Sequence, residues 1–200
     1  VYSFTMPSGK VTVEAAFKAA VQPGTSSFGD VPADAYYADA VAWAVSAGIT
    51  SGTTAVTFSP NASCTRGQLV TFLWRAAGSP KASGSNPFSD VSAGTYYYDA
   101  VLWAFENGIV SGTSATTFEP DAPVTRSQTV TFLYRGAGTP ATEGGSAFSD
   151  VAEDAYYADA VAWAEQSGIT DGIGGGLFGV SNACTRAQIV TFLFRNSQAA

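Results

Sequence analysis

Three arginines stand where a helix least favours a cation. Arg66, Arg126 and Arg186 occur in Thr65-Arg66-Gly67-Gln68, Thr125-Arg126-Ser127-Gln128 and Thr185-Arg186-Ala187-Gln188, at a fixed interval of 60 residues. Thr followed three residues later by Gln, ahead of an apolar run, is a capping box. It predicts a helix starting at each Thr, with Arg in the first turn. A cation there is disfavoured by about 0.3–1 kcal/mol. Backbone N–H groups at a helix start already favour an anion, so an added guanidinium makes a site for a carboxylate or phosphate. The plain alternative is an internal ion pair with Asp30, Asp90 or Asp150.

The elements that must position these arginines follow from the same stretches. After the cap come Leu69, Val70, Phe72, Leu73 and Trp74, with near-copies at 129–134 and 189–194. Only Gln68, Thr71 and Arg75 form a polar line, at i, i+3 and i+7. A short helix that is apolar nearly all round is buried, so three of them suggest a shared central bundle. Gly78 and Gly138, with Pro80 and Pro140 beyond, stop the first two. Arg75, Arg135 and Arg195 fall late in the helix, where a cation suits the dipole, and read as structural.

A period of this kind sets the architecture. Each repeat opens with Phe-x-Asp-Val, at Phe28-Gly29-Asp30-Val31, Phe88-Ser89-Asp90-Val91 and Phe148-Ser149-Asp150-Val151. The first repeat continues with Tyr36-Tyr37-Ala38-Asp39-Ala40-Val41-Ala42-Trp43-Ala44, whose apolar spacing is helical. Gly48, Gly108 and Gly168 are natural left-handed caps for this first helix. A loop rich in Gly, Ser, Thr and Pro leads from it to the second helix. In the third repeat this loop becomes Asp171-Gly172-Ile173-Gly174-Gly175-Gly176, a flexible or ligand-shaped variant without the context of a nucleotide-binding turn. The repeats run 28–80, 88–140 and 148–195, joined by polar linkers. Residues 1–20 alternate around Pro7-Ser8-Gly9-Lys10 like a hairpin and are expected to end a preceding β module, with 21–27 as linker. Val1 is not an initiator Met, so the chain is expected to be cut from a longer polypeptide with upstream domains.

Composition narrows the chemistry. The chain has 200 residues, 46% of them hydrophobic, a net charge of −7 and no His. An acidic surface argues against nucleic acid, and the commonest acid–base catalyst and metal ligand is missing. No run of 18 apolar residues is present to span a bilayer. Cys64 and Cys184 share one repeat position with Val124, which reads as a small apolar site holding buried free thiols. A disulfide between them is the alternative in a secreted chain.

Phe-x-Asp-Val, an aromatic pair, a helix ending in Gly-Ile, Phe-x-Pro and Thr-Arg-x-Gln, three times in order over 28–195, resemble the surface-layer homology domain. The resemblance implies a mainly α fold: a pseudo-threefold spindle of three helix–loop–helix repeats around a central three-helix bundle, here with a short N-terminal β-hairpin remnant. It implies non-covalent attachment of a secreted protein to a bacterial wall of Gram-positive type. The implied ligand is an anionic, pyruvylated secondary cell-wall polysaccharide, bound in grooves between repeats. The family's Thr-Arg-Ala-Glu motif maps onto the three Thr-Arg-x-Gln segments, so Arg66, Arg126 and Arg186 are the expected anion contacts, with Gln68, Gln128 and Gln188 beside them. Gln in place of Glu keeps the cap and removes a negative charge.

Tyr36, Tyr96 and Tyr156 take the place of the family's Trp and are candidates to stack on sugar; packing in the core is the other reading, and the stronger one for Trp43, Trp103 and Trp163. Asp30, Asp90 and Asp150 brace a loop or reach the groove. No catalytic residue, metal or cofactor is expected. The alternative function is a protein–protein or surface-lattice scaffold. An enzyme is disfavoured, because no carboxylate pair recurs in a pocket-like context.

Overall fold

The computed structural model describes residues 28–199; the proposed N-terminal hairpin and its linker lie outside them. The described chain is mainly α, with six helices and only isolated bridges between extended residues. These are α1 (Ala38–Ser46), α2 (Arg66–Ala76), α3 (Tyr98–Glu106), α4 (Arg126–Gly136), α5 (Ala158–Gln166) and α6 (Arg186–Ala199).

The helix boundaries have local causes. The capping box forms in full: the Thr65 hydroxyl accepts from Gln68 N–H at 3.3 Å, and Gln68 Oε1 accepts from Thr65 N–H. Thr125–Gln128 and Thr185–Gln188 repeat it. Each cap is worth about 1 kcal/mol. The first helices end as expected at Gly48, Gly108 and Gly168, with φ of 70°, 67° and 68°. They start later than the sequence suggests. Tyr36 and Tyr37 lie in turns ahead of α1, and no side chain caps it.

Each repeat's opening motif fixes its loop. Phe28 packs on Phe58, with ring centroids 6.0 Å apart, and over Gly52, where an added Cβ would lie 2.6 Å from the Phe28 ring. Asp30 accepts the N–H groups of Phe58 and Ser59 at 2.8 and 2.7 Å. Asp90 and Asp150 do the same for the loops at Phe118 and Phe178. Phe58, Phe118 and Phe178 are fully buried, each contributing about 2–3 kcal/mol.

The repeats do not pack alone. α2 packs on α3, α4 on α5, and α6 returns to α1, while α4 also touches α2 and α6. The loops entering the second helices meet in a closed cycle. Cys64 N–H donates to Cys184 O, Cys184 N–H to Val124 O, and Val124 N–H to Cys64 O, at 2.8–3.0 Å. All three side chains are fully buried, and the two cysteines are free. A small apolar residue is what this crowded meeting point accepts. The linkers are tied down too: Glu106 accepts Ser83 and Gly84 N–H, and Glu165 accepts Ala147 N–H.

Candidate functional site

The helix starts are not open anion sites. Arg66 N–H donates to Ala122 O at 3.0 Å and Gly67 N–H to Pro120 O at 2.8 Å. The same carbonyls of another repeat's loop meet the starts of α4 and α6. The expectation that free backbone amides receive the ligand is therefore corrected: the neighbouring loop has taken them.

The guanidiniums are placed differently. Arg66, Arg126 and Arg186 are 4%, 2% and 4% exposed. Their Nε groups donate to the carbonyls of Phe118, Phe178 and Phe58 at 2.8–2.9 Å. Their Nη2 groups reach Ser111 O, Thr170 Oγ1 and, at a long 3.5 Å, Thr50 Oγ1. Each cation lies between two rings, with Arg186 Cζ 4.8 Å from the Phe58 centroid and 5.4 Å from that of Phe72. Such contacts add about 0.5–2 kcal/mol each.

Among the described residues no carboxylate forms an ion pair with any of the three, and the ion pair present is Arg195–Asp171. The internal ion pair with Asp30, Asp90 or Asp150 is thus absent. Those aspartates act through the loop: each holds the backbone whose carbonyl accepts Arg Nε. Burial raises their pKa, but the backbone hydrogen bonds outweigh it and leave each carboxyl below its usual value. Burial pulls the arginine pKa values down, yet a guanidinium stays charged at any working pH.

A guanidinium has five N–H donors. Two are used in each case, and Nη1 has no hydrogen bond among the described residues. Two of the three groups form the floor of a groove. One groove, of about 340 Å³, is lined by Arg186, Tyr96, Thr50–Thr53, Gln68, Thr71, Phe72 and Arg75. The other, of about 390 Å³, is lined by Arg126, Tyr36, Thr170–Ile173, Gln188 and Arg195. Each takes residues from all three repeats. For Arg66 the tyrosine at the corresponding repeat position is Tyr156.

Tyr36, Tyr96 and Tyr156 are 68%, 57% and 65% exposed, each held edge-on by the next tyrosine at 4.9–5.0 Å. They are not core. Trp163 packs on Tyr134 and Trp43 on Phe194, across the helix pairs, so the tryptophans take the packing role. Asp30, Asp90 and Asp150 lie outside the lining of the two grooves.

Gln68 does not accompany Arg66, its helix neighbour; it shares a groove with Arg186. Residues two apart on a helix do not face the same way. Arg75 and Arg195, read as structural from sequence, line the grooves while donating to Ile49 O and Ile169 O. The polar line Gln68, Thr71, Arg75 was the signal that could have found them, since those residues form one wall.

The S-layer homology domain family matches residues 27–70, 87–130 and 147–190. The chain belongs to this family. It is 33% identical over 126 residues to an endoglucanase of Bacillus sp. (strain KSM-635), covering 62% of this chain and 13% of the enzyme. It is 37% identical over 98 residues to the surface-layer 125 kDa protein of Lysinibacillus sphaericus, covering 49% of this chain and 8% of that protein. It is 30% identical over 118 residues to a cell surface protein of Thermoanaerobacter kivui, covering 56% and 16%. The chain thus spans less than a fifth of the length of these relatives.

Proposed function

We propose that this chain is a non-catalytic anchoring module, working outside the cell at the bacterial surface, that holds a larger protein to an anionic secondary cell-wall polysaccharide. The observation that carries this reading is a guanidinium almost wholly withdrawn from solvent whose Nη1 has no hydrogen bond among the described residues, on the floor of a groove walled by an exposed tyrosine. A buried cation without a carboxylate partner costs free energy. An incoming carboxylate offsets that cost through charge-assisted bonds, while the tyrosine face supports a sugar ring. A pyruvate ketal on the glycan supplies such a carboxylate on an otherwise neutral sugar.

The arginine is the anion contact, the tyrosine the stacking wall, and the glutamine amide a neutral donor beside them. The aspartate is the brace that fixes the loop. The same reading takes the repeats as a pseudo-threefold spindle, which the return of α6 to α1 and the closed cycle at Cys64, Val124 and Cys184 support. Cargo such as a glycanase domain belongs to the rest of a longer polypeptide.

The test is co-sedimentation with wall sacculi that retain or lack their polysaccharide. Binding is expected only to the former, and a triple Tyr36→Ala, Tyr96→Ala, Tyr156→Ala variant should lose it while keeping its helical signal. Equal binding to stripped sacculi, or a folded triple variant that binds like the parent, refutes the reading.

A further inference from the structure

The grooves share one plan but not one charge. Ser51, Ser111 and Asp171 occupy the same repeat position. In the Arg186 groove two guanidiniums, Arg186 and Arg75, meet no carboxylate in the lining. In the Arg126 groove Arg195 takes the place of Arg75, and its Nη1 is bonded to Asp171 at 3.1 Å. Around Arg66, the charge of Glu119 acts on the guanidinium; Ser59 and Gly179 stand at the corresponding positions. Asp30, Asp90 and Asp150 act on the three arginines alike and cancel from the comparison. Asp121 acts on Tyr96, a wall of the Arg186 groove, but lies outside the lining.

We infer that the groove of Arg186, Tyr96, Gln68 and Arg75 is the principal seat for the acidic sugar, and that Asp171 weakens anion binding in the groove of Arg126 and Tyr36. This rests on the polysaccharide reading above. Its physical basis is that, among the described residues, a bound carboxylate meets two cations without an ion-pair partner in one groove, and one such cation plus an ion pair in the other. Asp171 is exposed, so it discriminates through local charge and is screened by salt.

The test exchanges that charge at two exposed positions, neither in the core. Ser51→Asp and Asp171→Ser variants are titrated calorimetrically at low salt with the methyl glycoside of a pyruvate-ketal hexosamine. A carboxylate placed a few ångströms from a bound anion at the surface changes affinity about fivefold. Ser51→Asp is expected to weaken the tightest site by about that factor, and Asp171→Ser to strengthen a weaker second site without changing the first. If Ser51→Asp binds like the parent, or Asp171→Ser alters the tightest site, the groove assignment is overturned while the polysaccharide reading stands. If the parent binds neither this probe nor polysaccharide-bearing sacculi, the polysaccharide reading fails and this inference with it.

Discussion

Replacing Asp30 by Ala tests how the fold sets the site. Its carboxylate accepts Phe58 and Ser59 N–H at 2.8 and 2.7 Å. Hydrogen bonds to a charged group contribute about 1.5–3 kcal/mol each. Asp30 is partly exposed, so water recovers part of that, and about 2–3 kcal/mol is expected for the pair. In a domain of this size that lowers Tm by about 5–10 °C. Asp30→Asn retains one acceptor oxygen and should lose about half as much. Because Phe58 O receives Arg186 Nε at 2.9 Å, loosening this loop should also weaken binding in the Arg186 groove.

The pH dependence follows from the sign of the shift. The folded carboxyl is held below its usual value, so its contribution is present above the unfolded pKa of about 3.9. It is lost as pH falls through the folded value. Urea unfolding at neutral and acid pH, with calorimetric titration of the acidic glycan, measures both effects. A change below about 0.5 kcal/mol with unaltered glycan binding would refute the bracing argument.

Two further variants probe other parts of the account. Burial pushes the Cys64 and Cys184 thiols up to about 12 and about 11, so both should resist a thiol-specific reagent until the chain unfolds. Unfolded thiols ionise near pH 8.5, so stability should decline as pH rises from there toward the folded values. A Cys64→Val, Cys184→Val variant, matching Val124, should fold and lack that alkaline decline when compared with the parent by chemical unfolding. Gln68→Glu should keep the capping box and stability within about 0.5 kcal/mol. It places an anion in the Arg186 groove, so acidic-glycan affinity should fall in calorimetric titration; unchanged affinity would remove Gln68 from the groove account.

What the sequence could convey depended on the range of each interaction. The capping boxes at Thr65, Thr125 and Thr185, and the ends at Gly48 and Gly78, are local, and were legible. The buried position shared by Cys64, Val124 and Cys184 was legible from residue size, but not the reason for it. That reason is a hydrogen-bond cycle linking positions 60 and 120 residues apart. Tyr36 could be read as stacking wall or as core because it adjoins a helical pattern; the turn ahead of α1 takes it out of that pattern and leaves it exposed. The company of each arginine was hidden for a similar reason. Arg186 shares its groove with Tyr96, Gln68 and Arg75, which come from two other repeats, and no spacing within one repeat reports that.

The most direct test of the central claim is a crystal structure of the chain with a pyruvate-ketal-bearing wall oligosaccharide. The account predicts the carboxylate within about 3 Å of Arg186 Nη1 and the sugar ring against Tyr96. Clear density for the glycan at a site lined by none of Arg66, Arg126 and Arg186 would contradict it.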